Sequence, residues 1–175
     1  DQYGEYLSVQ ILSAGPEYWR ETILDVLNTE LNPSGIIERS DVDVRELEGL
    51  QPRSGLVYGE KIPETFILVE NELKFLVDLS RGQKTGFYLD QRTNRKTVSS
   101  YANKKEILNC FCYTGGFSVY ALASGASFVT SIDSSADAIN LAQTNIGLND
   151  LSLDCTRWIP GVVLHAVGRF RDEGR

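Results

Sequence analysis

Apolar residues recur at helical spacing from Trp19 through Ile23, Leu24, Val26, Leu27 and Leu31, which predicts a helix. Pro16, after Gly15, suits its first turn, and Asn32-Pro33-Ser34-Gly35 stops it. Ile36-Ile37-Glu38-Arg39 then reads as a short strand. Two β-type runs, Phe66–Glu70 and Leu73–Asp78, flank Asn71-Glu72 and predict a hairpin, although Asn-Glu is a weaker turn signal than Asn-Gly. A polar helix is expected from Tyr88 to about Tyr101.

From Lys104 the pattern changes to strand, turn, helix, strand, helix. Glu106–Phe111 is a buried-strand run, Tyr113-Thr114-Gly115-Gly116 a tight turn, and Phe117–Ala123 a short apolar helix ended by Gly125. Ser127–Ile132 is a second strand ending in Asp133, and Ser134 or Ser135 caps a helix whose inner face is Ala138, Ile139, Leu141, Ala142 and Ile146. Arg157-Trp158-Ile159 and Val162–Arg171 add a weaker strand and helix. Such a βαβα run is the signature of a Rossmann-like, doubly wound parallel α/β sheet. We therefore expect a small α+β domain over residues 1–100 and the doubly wound unit over residues 101–175.

Composition narrows the class. An apolar content of 42% with 23% charged residues suits a soluble globular chain, and no apolar run approaches membrane-spanning length. Three cysteines without framework spacing point to a reducing compartment, and hence to the cytoplasm. The net charge of −7 argues against general nucleic-acid binding. Yet Arg81, Lys84, Arg92, Arg95, Lys96, Lys104 and Lys105 face only Asp90 between residues 81 and 105. That cluster is either a solvated face or a local phosphate-contacting edge. Methionine is absent even at the first position, from which we expect a fragment of a longer protein. His165 lies in an apolar helical stretch without partners at metal-ligand spacing, so no metal is expected.

The chemistry centres on the glycine turn. Ligands of doubly wound sheets bind at the carboxyl ends of the strands, where Gly115 and Gly116 let backbone come close and the next helix offers N–H groups. Asp133, roughly twenty residues on at the end of the second strand, suits the hydroxyls of a ribose. Each feature alone has a plainer reading: a tight turn for the glycines, helix capping for Asp133. The turn lacks G-x-G-x-x-G, and the bulk of Tyr113, Thr114 and Phe117 disfavours a pyrophosphate and so a dinucleotide.

Two segments carry a resemblance: Gly82-Gln83-Lys84-Thr85-Gly86-Phe87-Tyr88-Leu89-Asp90-Gln91-Arg92, and Leu108-Asn109-Cys110-Phe111-Cys112-Tyr113-Thr114-Gly115-Gly116-Phe117. The chain resembles bacterial 23S rRNA (cytosine-5-)-methyltransferases built from a PUA domain, a small central domain and a class I methyltransferase domain. Ile37–Asp41, Glu48-Gly49-Leu50 and Val57–Glu60 are similar to the central domain of that family. The resemblance implies S-adenosyl-L-methionine as cofactor and 23S rRNA as partner. It implies a cofactor loop over Asn109, Phe111, Tyr113, Thr114, Gly115, Gly116 and Phe117, with Asp133 and the neighbouring Ser134 at the ribose. Tyr88, Asp90 and Arg92 fall in the segment that closes over the methionine end of the cofactor or steers RNA; Lys84, Arg92 and Arg95 are the RNA-contact candidates. The resemblance leaves the oligomeric state open, a homodimer being one option.

The departures matter too. The PUA domain, an Asp-Pro-Pro strand and the cysteine expected to attack cytosine C6 have no counterpart in the chain, so no catalytic residue is assigned here. Cys110, Cys112 and Cys155 read as small buried hydrophobes. Val162 stands where related enzymes carry an acid for the adenine amino group. Two other functions compete: an NAD-binding Rossmann oxidoreductase fragment, and a non-catalytic RNA-binding module.

Overall fold

The computed structural model describes residues 1–59, 62–79 and 86–174. They divide into two compact units: Asp1–Leu68 with Val77–Leu89, and Val69–Leu76 with Asp90–Arg175.

In the first unit, β1 (Gln2–Tyr3), β2 (Tyr6–Val9), β3 (Gly35–Ser40) and β4 (Arg53–Gly59) form a sheet in that order. Strands β2 and β3 run parallel, so the chain between them crosses over through α1 (Ala14–Tyr18) and α2 (Arg20–Leu31). The predicted single helix is broken at Trp19, which closes α1 and opens α2. Leu7, Leu24 and Ile36 make the core, with Val9, Leu27 and Val57 packed against it. Strands β1, β2 and β4 carry too little alternation to be visible in the sequence; β4 is exposed almost throughout. The short α3 (Val44–Leu47) contributes Arg45, which is fully buried. Its guanidinium donates to the carbonyls of Ile11 and Gln51 and to the Glu17 carboxylate, and that contact holds Glu17 below the usual carboxylate range.

Strands β5 (Thr65–Glu70) and β6 (Leu73–Asp78) form the expected hairpin. Asn71 and Glu72 both take positive φ, 48° and 70°, the left-handed backbone conformation of a two-residue hairpin loop, without the usual glycine.

The second unit holds α4 (Arg92–Ala102) and an alternating run: β7 (Glu106–Cys110), α5 (Gly116–Ala123), β8 (Phe128–Asp133), α6 (Ala136–Leu148), β9 (Thr156–Pro160) and α7 (Val163–Asp172). The three strands are parallel in the order β7-β8-β9, as the βαβα pattern requires. Side chains alternate across β8. Val129 packs with Ala102 and Ala121 on the α4–α5 face, and Ile132 packs with Val163 and Ala166 on the α7 face.

Helix α4 and the tip of the hairpin group with the parallel sheet. The physical reason is a buried ion pair: Arg95 grips Glu70 with Nε–Oε1 and Nη2–Oε2 contacts of 2.8 Å each, both side chains under 5% exposed.

Candidate functional site

The site is built by the carboxyl ends of β7 and β8. Because these strands are parallel, the loop after Cys110 and the last residue of β8, Asp133, emerge at one rim. They touch: the backbone N–H of Tyr113 donates to Asp133 Oδ2 at 2.8 Å, and that of Cys112 to the Ile132 carbonyl at 2.9 Å. The other carboxylate oxygen of Asp133 accepts the Ser135 N–H at 3.0 Å. Each oxygen so used keeps a further lone pair, so the carboxylate can still accept two hydroxyls. The plain and the functional readings of Asp133 are therefore compatible: it ties the loop to the sheet and still presents acceptors at the rim. Ser135, not Ser134, caps α6, accepting the Ala138 N–H; Ser134 is exposed beside Asp133.

The loop backbone is strained in a regular way. Phe111, Tyr113 and Gly115 take positive φ of 59°, 49° and 76°, alternating with the residues between them. Two non-glycine residues in the left-handed region within three positions cost energy that the surroundings must supply, a pattern that concentrates at ligand sites. Gly115 is needed twice over: its φ suits glycine, and a Cβ there would lie 2.7 Å from the Ala142 Cβ of α6. Thr114 is 3% exposed, and its Oγ1 is buried without a hydrogen-bond partner among the described residues. An unpaired buried hydroxyl is costly unless a ligand satisfies it. Phe111, by contrast, is 71% exposed.

The remaining candidates separate. Gly116 is buried and Phe117 half-buried in the first turn of α5, next to the loop. Asn109 lies in β7, but its amide turns inward and donates to Ser118 Oγ at 2.8 Å, which in turn meets Ser131 Oγ at 2.8 Å. It fastens the strand to α5. Tyr88 belongs to the first unit, half-buried, and Asp90 is exposed in the turn before α4. Lys84 lies outside the described residues. Arg92 is exposed at the start of α4. Arg95 is not a surface cation, and its pairing with Glu70 removes it from the phosphate-contact set.

Cys112 is no nucleophile. Burial first, and the Asp133 charge second, push its thiol from 9.0 up to about 12. At pH 8 the thiolate fraction is then about 1,000-fold below that of an ordinary cysteine, since reactivity follows the thiolate. Maleimide labelling mapped by mass spectrometry should leave Cys112 essentially unmodified in the native protein and modify it in urea; rapid native labelling would contradict the burial.

Sequence reasoning missed Asn145, Ser118 and Ser131. One signal was present: Asn145 falls on the apolar stripe of α6, between Ala142 and Ile146, where an amide needs buried partners.

The family model for S-adenosylmethionine-dependent methyltransferases matches residues 50–175. Ribosomal RNA large subunit methyltransferase I of Aeromonas salmonicida is 47% identical over 174 residues, covering 99% of this chain and 44% of that protein. A Streptococcus mutans protein described as a SAM-dependent methyltransferase superposes with a TM-score of 0.85 at 27% identity, covering 98% of this chain and 44% of its own. A methyltransferase structure complexed with SAH gives a TM-score of 0.84 at 27% identity, over 98% of this chain and 43% of that one. The chain thus spans less than half the length of the relatives it matches.

Proposed function

Because the chain belongs to the S-adenosylmethionine-dependent methyltransferase family, we propose that residues 106–175 hold that cofactor for methylation of large-subunit rRNA, at C5 of a cytosine in 23S rRNA. The observation that carries the cofactor part is the contact between the left-handed loop and Asp133, with the unpaired Thr114 hydroxyl beside it. Those residues fit an adenosyl group. The spare lone pairs of Asp133 accept ribose hydroxyls, and the first-turn N–H groups of α5 supply donors at the rim. S-adenosylmethionine would supply an electrophilic methyl group on its sulfonium.

Substrate and base rest on the relatives and on the sequence resemblance. Cytosine C5 becomes nucleophilic when a thiolate adds at C6. Cys112 holds its proton too firmly for that role, and the sequence resemblance implies an attacking cysteine outside these 175 residues. Exposed Arg92 and Lys96 on α4 are cations available to meet phosphate.

Calorimetry on the full-length protein with S-adenosylhomocysteine and with NADH tests the cofactor. We expect saturable binding of the first and none of the second; the reverse would replace the reading with an oxidoreductase. Methyl-labelled S-adenosylmethionine and 23S rRNA, followed by nuclease digestion, should place the label on 5-methylcytidine. Label on another base would remove the C5 assignment.

A further inference from the structure

Asn145 is fully buried on α6, and both ends of its amide are used. Its Oδ1 accepts the Leu76 N–H of β6 at 2.7 Å, and its Nδ2 donates to the Thr114 carbonyl in the loop at 2.9 Å. One turn on, Asn149 pairs with the same strand: Oδ1 accepts the Lys74 N–H at 2.8 Å, and Nδ2 donates to the Lys74 carbonyl at 2.7 Å.

The spacing explains why two asparagines can do this. Four helical residues advance about 6 Å, and two strand residues about 6.7 Å, so amides at i and i+4 match N–H groups at j and j+2. Helix α6 thereby serves as the edge partner of β6, satisfying backbone groups a neighbouring strand would otherwise take. The Asn149 side chain also donates to the Asn145 carbonyl at 2.7 Å and, among the described residues, makes no bond to the loop. Asn145 alone reaches the loop.

That contact falls at the strained point. Thr114 lies between Tyr113 and Gly115, both left-handed, and the adjoining glycine abuts Ala142, one turn before Asn145. A segment held in such a conformation relaxes unless something outside it fixes the peptide. The Thr114 carbonyl is fixed by Asn145, and that contact sets where the Thr114 hydroxyl and the following N–H groups lie.

We propose that Asn145 is a positioning residue for the cofactor: its amide locks the Thr114 peptide in the binding conformation and links that lock to the β5–β6 hairpin at Leu76. The inference rests on the cofactor reading above. Asn145→Asp keeps the acceptor for Leu76 but replaces the donor to Thr114 with a carboxylate oxygen. Asn149→Asp makes the same chemical change one turn away, where no loop contact exists.

The test compares S-adenosylhomocysteine affinity and melting temperature of the full-length protein and these two variants, with Asn145→Ala as an uncharged second variant. We expect both aspartates to lower the melting temperature comparably. Asn145→Asp and Asn145→Ala should weaken binding at least tenfold, and Asn149→Asp less than twofold. Lowering the pH should restore part of the affinity of Asn145→Asp, because a protonated carboxyl can donate to Thr114 again; a role confined to stability would not produce that profile. The proposal falls if a folded Asn145 variant binds like wild type, if Asn149→Asp weakens binding equally, or if neither Asn145 variant folds. Wild-type protein that binds no S-adenosylhomocysteine would instead overturn the cofactor reading, before any variant is compared.

Discussion

Asn in place of Asp133 should lower S-adenosylhomocysteine affinity about 100-fold, equivalent to about 2.8 kcal/mol at 1.4 kcal/mol per decade. Two effects combine. The carboxylate loses its charge, so hydrogen bonds to ribose hydroxyls drop from the charge-assisted to the neutral class. Asparagine also presents an N–H₂ where two oxygens now accept the backbone N–H groups of Tyr113 and Ser135. Whichever way the amide is turned, one donor faces another, and the loop or the start of α6 must move. Calorimetry checks the affinity, and thermal melting the local cost. Wild-type affinity in Asp133→Asn would show that the rim carboxylate takes no part in binding.

The second large effect is on stability. Arg95→Ala should destabilise the protein by about 3–5 kcal/mol, because the Glu70 charge would stay buried without its partner. Glu70 is almost inaccessible and, among the described residues, its carboxylate would keep the hydrogen bond from the Tyr120 hydroxyl, at 3.0 Å. Tyr120 cannot substitute for a cation. Burial, first, and Glu70 hold its phenol above its usual range, so it stays a neutral donor, while Asn71 donates to its oxygen at 2.7 Å. Replacing both partners, as in Glu70→Leu/Arg95→Met, should recover most of the loss, since an apolar pair leaves no stranded charge. Urea unfolding measures both. A cost for Arg95→Ala below about 1 kcal/mol, the range of exposed pairs, would mean that the pair is solvated.

Arg95 also shows where reading the sequence stops. In a list of charges it looked like Arg92: both stand on one polar helix, three residues apart. The pairing with Glu70, 25 residues away, distinguishes them. Asn109 is similar. Its position in the loop motif suggested cofactor contact, and the structure adds a hydrogen bond to Ser118 across the strand–helix turn.

The sequence by itself determined what depends on near neighbours. The period of apolar positions set the strand–helix alternation from residue 106, the glycine pair set the turn, and Asp133 fell at the end of β8, as residue order required. Seryl capping of α6 and the hairpin at Asn71-Glu72 were also legible, because caps and two-residue turns are made by adjacent side chains and dihedrals. Tertiary structure decided the rest: which cation is buried, which asparagines serve as strand partners, and how the strained loop is held. Those choices rest on contacts such as Asn145 with Leu76, 69 residues apart. No local periodicity encodes such pairs, because a buried polar group is satisfied by whatever the packed chain brings to it.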